Sequence, residues 1–515
     1  MNNVRPNVTN LNKRFITLNV IIAIKTMATA RYAGLLEMLF NRFSNIVAIY
    51  TLDFYFTKMK QKSIRFVKDY MVKKGFVLCL MCSFMFSQDK LLLKQADTLT
   101  SSTTASETIT KLDGNIIFQK TDTILKGNFA NQSNQNSIIN LYGDVSVQQP
   151  NQTIYCDSLS YDSNTEFFSM YGHIKIKNGS RLISADKATL DQISNQITLL
   201  ENCEINEKNN NKVYGDKIIL DFEDESLHAL QVLSNGVMIS KNSGYKKIDN
   251  QLYPVENQDI LKGETIIANF QNDEIKNIEM TGMASSLIHL YNDSLYDGIN
   301  EVSGDKIILD IQNDSARKLI AEGGTIGRYI PNASNESIQE EIDYTADRVE
   351  FEVEKKISEM YGVVKILHDS MDLSAAHINV DWSTNVLEAF SDNPFNNEEV
   401  NKPILIENNR EPMTGDTMVY NIKSRKGKVL MGESRVQENV YMGSQITSVT
   451  DSTFYIDDCI FTSCDPSKFY LGSKQVKIIY GDKVIAKPLS IFIGGVPIIG
   501  IPIAIFPHSS NERRS

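Results

Sequence analysis

Carboxylates recur along this chain at a spacing that invites a search for acid–base chemistry. An acidic residue preceded by Cys, Ala or Gly stands at Asp157, Asp186, Asp216, Glu264, Asp305, Asp347 and Asp416, and an eighth copy has Ala376 there. Five residues later each copy closes on a second acid or an Asn: Asp162, Asp191, Asp221, Asn269, Asp310, Glu352, Asp381 and Asn421. A carboxylate pair can serve glycoside hydrolysis, and carboxylates beside His or Cys can hold a metal. Here no pair is singled out from the repeat. The histidines (His173, His228, His289, His368, His377, His508) are scattered and no Ser-His-Asp order is present. Cys459 and Cys464 are separated by four residues, with no His at zinc-ligand spacing after them. A disulfide and unpaired thiols both remain open for this pair, and nothing brings Cys156 and Cys203 together. The reading is a non-enzyme with no catalytic residue, no metal and no cofactor. The acids are expected to be turn formers and edge charges.

Between the two acids of each copy lie two apolar residues at alternate positions: Leu159/Tyr161, Ala188/Leu190, Ile218/Leu220, Ile266/Ala268, Ile307/Leu309, Val349/Phe351, Ile378/Val380 and Met418/Tyr420. Residues two apart on a strand share a face, so each copy predicts a strand with one greasy face. The motif acids follow one another at intervals of 29, 30, 48, 41, 42, 29 and 40 residues, a unit of about 29 with insertions. A second pattern marks the returning strands, as in Leu141-Tyr142-Gly143-Asp144-Val145, Met170-Tyr171-Gly172-His173-Ile174 and Met360-Tyr361-Gly362-Val363-Val364. Glycine inside a strand marks a bulge or bend, and one per unit predicts strands all bent at the same height. The expected fold is all-β, a stacked repeat of antiparallel strands with a curved groove. Leu190, Ile218, Leu220, Ile307, Leu309, Val349, Phe351, Ile378 and Val380 are the candidate groove lining. Such a lining suits acyl chains, because each methylene removed from water contributes about 0.8 kcal/mol. Ile219 and Ile308 make the opposite face apolar too, so which face lines the groove stays open.

Around the repeat the chain divides into segments. Residues 1–70 are basic and apolar without the repeat, and are expected to be a helical or disordered leader or a mis-assigned start. Residues 71–87 read as a Sec-type signal peptide, with Lys73 and Lys74 before the apolar run Gly75 to Phe86, too short to span a bilayer as a helix. Residues 88–113 are Ser/Thr-rich and expected to be a flexible linker. The repeat fills 114–430, and 431–515 is a separate tail whose Gly494-to-Pro507 end is apolar enough for a membrane surface, a barrel wall or a buried strand end. A net charge of −11 argues against a nucleic-acid partner, which needs a basic face.

The unit of Gly-Asp-Val, apolar alternation and Ala/Gly-Asp-x-apolar-x-apolar-Asp, clearest at Tyr142 to Asp162, Tyr171 to Asp191, Val213 to Asp221 and Met360 to Asp381, resembles the OstA-like (organic solvent tolerance) domain of lipopolysaccharide transport proteins. The tail, with Gly427 to Gly432, Phe461 to Asp465, Phe469 to Ser473, Asp482 to Ala486 and Gly495 to Pro507, resembles the junction before the barrel in the outer-membrane lipopolysaccharide assembly family. The resemblance implies an open, V-shaped β jelly roll at the periplasmic face of the outer membrane. It implies that acyl chains of lipopolysaccharide pass along the groove, and that the partners are a periplasmic β-bridge protein of the same fold, joined by strand augmentation, and outer-membrane lipoprotein and barrel components. The ATPase that drives such transport would sit at the inner membrane. The resemblance also places Cys464 in a disulfide to a barrel that is apparently lacking here, and gives the Pro-rich end the role of a lateral gate. The competing class is a structural or adhesive β-repeat surface protein that carries no lipid.

Overall fold

The computed structural model describes residues 91–103, 108–133, 137–207, 210–223, 226–272, 274–312, 315–333, 338–391, 402–407, 411–436, 439–450, 452–462 and 468–507. Among these every regular element is a strand, as the alternating patterns predict. The expected leader and signal peptide, Cys79, Cys82, Cys464 and His508 lie outside the described residues. Residues Lys90–Ser515 form one compact unit.

The strands in chain order are β1 (Leu92–Gln95), β2 (Thr98–Thr103), β3 (Thr108–Lys120), β4 (Thr123–Ser133), β5 (Ile138–Gln148), β6 (Gln152–Asp162), β7 (Phe167–Asn178) and β8 (Arg181–Asp191). Next come β9 (Gln196–Asn206), β10 (Lys212–Glu223), β11 (Ser226–Ile248), β12 (Gln251–Gln271), β13 (Glu274–Asn292), β14 (Leu295–Gln312) and β15 (Ser315–Pro331). They are followed by β16 (Ile342–Glu352), β17 (Ile357–His368), β18 (Met371–Asp381), β19 (Val386–Phe390), β20 (Ile404–Glu407), β21 (Met413–Thr414) and β22 (Thr417–Asn421). The last are β23 (Lys426–Val436), β24 (Asn439–Thr450), β25 (Thr453–Thr462), β26 (Phe469–Ile479), β27 (Lys483–Ile493), β28 (Val496–Ile501) and β29 (Ala504–Pro507).

Pairing is antiparallel between chain neighbours from β3 to β18, so the sheet is a long meander. Where a strand is interrupted, two short strands share its place. β1 and β2 both pair with β3, β19 and β20 both pair with β18, and β28 and β29 both pair with β27. The meander runs without a break through β23–β27.

Within the β3–β18 meander the register of each pair shifts near mid-strand, for example between Tyr155 and Ser158, Tyr171 and Ile174, Ser184 and Lys187, and Tyr361 and Val364. The burial pattern explains what the shift does. On β6 the buried residues are Ile154 and Cys156, then Leu159 and Tyr161. Cys156 and Leu159 are an odd number apart, so a regular strand would point them to opposite faces. The bulge between them turns a corner and returns both to the inside. The full-length strands of the β3–β18 meander thus have two arms, and both arms contribute to one continuous apolar cluster.

The bend expected from the repeated glycines is present. Gly143, Gly172, Gly282, Gly323 and Gly362 all have φ between +74° and +97°. Facing each corner glycine across the strand pair is a polar side chain of the neighbouring corner, in most cases an acid. A Cβ on Gly172 would lie 2.8 Å from Cγ of Asp157, and one on Gly282 would lie 2.8 Å from Cβ of Glu264. Residues 92–103 and 108–113 correct the expectation of a flexible linker. β1 and β2 pair with β3 along an exposed edge, where the Thr residues of β2 suit a strand, and with every position exposed they gave no apolar alternation to read. The longer repeat intervals are absorbed by strand length: β11 has 23 residues and β12 has 21, and the two pair out to Ile248 and Gln251.

Candidate functional site

The site expected from the sequence is an apolar lining, and the register shows how it is assembled. In one arm, one cross-strand row runs Leu159, Met170, Ala188, Leu199, Ile218, Val232, Ile266, Met280, Ile307, Ala321, Val349, Met360, Ile378 and Ala389. A parallel row contains Tyr161, Phe168, Leu190, Ile197, Leu220, Leu230, Ala268, Ile278, Leu309, Leu319 and Phe351, then Ser358 and Val380. All nine candidate residues fall on these two rows. Leu190, Ile218, Leu220, Ile307, Leu309, Val349, Ile378 and Val380 are at most 5 % exposed, and Phe351 packs against the same cluster while partly buried. Ile219 and Ile308, on the other face, are only half-buried. The interior is closed by side-chain packing rather than open as a groove.

Sequence reasoning missed the opposing wall. In the other arm a third row joins Val147, Ile154, Ile176, Ile183, Ile205, Val213, Met238 and Leu261. It continues through Ser286, Val302, Gly327, Tyr344, Ile366 and Leu373. Its signal was the apolar alternation flanking each glycine, as in Val145 and Val147 after Gly143. At β13–β15 this wall thins to small and polar groups. The buried hydroxyls of Ser286 and Thr325 there have no hydrogen-bond partner among the described residues.

The two acids of each copy do different work. The closing acids cap the hairpins as expected: Asp162 Oδ1 accepts from Asn164 N at 3.0 Å, Asp191 Oδ1 from Ile193 N at 2.9 Å, and Asp381 Oδ1 from Ser383 N at 2.8 Å. The leading acids are not turn formers, which corrects that part of the reading. They sit at the corners and take hydrogen bonds from the neighbouring corner: Asp157 with His173 Nδ1 at 2.8 Å, Asp186 from Asn202 Nδ2 at 2.6 Å, and Asp216 from Asn235 Nδ2 at 2.7 Å. Asn202 and Asn235 have positive φ, which Asn tolerates. The eighth copy carries Ala376, which is buried, so an acid there would lose its water.

Among the described residues one carboxylate is buried. Asp259 accepts from His289 N at 2.8 Å, is 3.0 Å from His289 Nδ1, and is bonded by the Asn242 amide. Burial raises its pKa above the ordinary carboxylate value. Cys156, Cys203 and Cys459 are buried free thiols, pushed up by burial to about 12, about 11 and about 12. On the outer face of β12–β16 a cleft of about 420 Å³ is lined by Ile260, Leu287, Ile326, Lys262, Glu301 and Arg328, among others. Arg328 is already engaged there by Asp343, with Nε 2.6 Å from Oδ1. Among the described residues no group of three or more His, Cys, Asp or Glu could hold a metal ion.

Comparison with known proteins finds one family along part of the chain. Residues 88–218 match the family model described as OstA-like protein. No curated protein matches. Among solved structures, the chain is similar to LptH of Pseudomonas aeruginosa, titled the LptA-homologous periplasmic component of the lipopolysaccharide transport device. The identity is 15 %, over 20 % of this chain and 79 % of that one, with a TM-score of 0.19. The chain thus carries an OstA-like segment that ends within β10.

Proposed function

We propose that this chain is a periplasmic module of lipopolysaccharide transport, and that its two-armed interior shelters acyl chains. The observation that carries the reading is the continuity of the apolar rows. They cross from strand to strand without a charged side chain, in a meander whose first part matches the OstA-like family. Each arm is tied to the other by backbone only at the corners. The hairpin ends, such as those at Asp162 and Asn178, lie away from the corners, so opposite arms meet there through side chains alone. Parting the arms along that side would open a slot. The nine candidate residues would line it, with the sugar left in solvent. Each acyl methylene taken from water contributes about 0.8 kcal/mol, which offsets the packing given up as the arms separate. β1 and β2, exposed and, among the described residues, unpaired along their outer edge, would accept a strand from a bridge protein of the same fold.

The near-complete burial of eight of the nine residues favours a second reading, a structural or adhesive repeat with a permanently packed interior. A photoreactive amino acid separates the two. Placed at Ile218, Leu220 or Ile307 in the full chain and irradiated with lipopolysaccharide, it labels the lipid if the arms part. Placed at exposed Tyr171, it does not. Absence of label at all three interior positions, with the fold retained, leaves the structural reading standing.

A further inference from the structure

Among the described residues, the β27–β28 hairpin and β29 carry a run of exposed apolar side chains. Ile493, Val496, Ile498, Ile499 and Ile505 are each more than half exposed. Ile498 and Ile499 are adjacent on a strand and so point to opposite faces; both faces of β28 are bare. From Pro488 to Pro507 there is no charged residue. The strands that carry this surface are basic. Between residues 468 and 507 the charges are Lys468, Lys474, Lys477, Lys483 and Lys487 against one acid, Asp482, in a chain whose net charge is −11. Asp482 is taken by Lys483 at 3.2 Å. Beside the apolar turn at Gly494-Gly495, Tyr470 stacks on Phe492 with ring centroids 4.6 Å apart.

We propose that β27–β29 dock on an anionic lipid bilayer, with the isoleucines at the hydrocarbon boundary and the lysines among the headgroups. A protein partner would cover one face or one edge. Bare isoleucines on both faces of β28 suit a surrounding apolar medium. Pro497, Pro502 and Pro507 remove backbone donors along this outer strand, which works against addition of a further strand or of a second copy's edge. The depth is limited by the backbone. β28 has six residues, fewer than the about 9–11 of a spanning strand, and its edge, unpaired among the described residues, would leave bare amides in hydrocarbon. The hairpin therefore lies in the interface, where apolar contact and lysine attraction add. This inference stands on the β27–β29 surface and not on lipid entering the interior.

The test uses the full chain with Ile498→Trp added to the native Trp382, read as the difference from the parent. Mixed with phosphatidylcholine vesicles containing phosphatidylglycerol, the added indole shifts to the blue and is quenched by brominated acyl chains, and salt weakens both effects. Tyr245→Trp, on the β11–β12 hairpin, is the control and stays unquenched. A joint Ile498→Ser, Ile499→Ser, Lys483→Glu and Lys487→Glu variant partitions to these vesicles about tenfold less than the parent. The segment before residue 91 is the same in every variant, so the differences report the hairpin. An unquenched indole at position 498 overturns the proposal, as does equal quenching at 245. So does a concentration-dependent dimer that the joint variant abolishes without any lipid contact in the parent.

Discussion

At the scale of single residues, the corners decide the structure. Gly172 holds φ at +77° with Asp157 directly behind it, whereas Gly179, at φ +57° in a hairpin turn, faces open space. Gly172→Ala should cost about 2–3 kcal/mol, from left-handed strain plus displacement of the carboxylate, and Gly179→Ala about 1 kcal/mol from strain alone. Urea unfolding of the two variants checks the difference. Similar losses would mean that the corner contact adds nothing. Both halves of the corner were legible in the sequence, one as Gly-Asp or Ala-Asp before the apolar pair and the other as Tyr-Gly-His and its relatives. Their meeting was not. Asp157 and His173 are 16 residues apart, and only the cross-strand register places one against the other.

At the scale of elements, the strand with its corner is the repeating part, and its parity explains both the success and the limit of reading it. Each apolar pair after an acid is a strand arm, as the alternation required. The arm before the acid obeys the same rule in the opposite phase, so a search tuned to one phase sees half the wall. The insertions were visible as wide repeat intervals, but their form as extended strands was not, since β11–β12 carry a polar, half-exposed pattern beyond Lys241. Asp259 lies at the foot of that extension and gives it a pH signature. Its folded-state pKa is raised above 3.8 by burial, so the folded chain binds this proton more tightly than the unfolded one. Stability from this group is greatest in acid and falls as pH rises from 3.8 through the raised value. Asp259→Asn should remove that fall and leave the variant at least as stable as the parent at neutral pH. Unfolding midpoints of both proteins from acid to neutral pH check it. A parent curve no steeper than the variant's would show that the hydrogen bonds of His289 and Asn242 fully offset burial.

At the scale of the whole molecule, the strands of the β3–β18 meander pair chiefly with their chain neighbours, with one parallel contact of Tyr245 on β11 with Leu295 on β14, so stability is close to a sum of local terms and need not be lost in one step. Trp382, the one tryptophan, follows β18 and reports on that end of the meander. Its Nε1 donates to Ser358 Oγ at 2.7 Å and its ring lies 6.1 Å from that of Tyr329. Denaturation followed by Trp382 fluorescence and by far-ultraviolet circular dichroism should give transitions that do not coincide. Coincident curves would show that the packed interior couples the strands more strongly than their pairing implies. The all-β class was legible from composition and alternation. The closure of the interior was not, because a strand's face says which residues turn inward and nothing about how near the opposite wall stands.

The nearest-neighbour meander also bears on how such a chain comes into being. A polypeptide delivered from its amino end, whether by a ribosome or through a narrow pore, presents each new segment beside one that has just arrived. No segment has to wait in extended form for a mate encoded hundreds of positions later. The growing end is a fresh template at every moment, and a molecule of this length can settle as fast as it is fed.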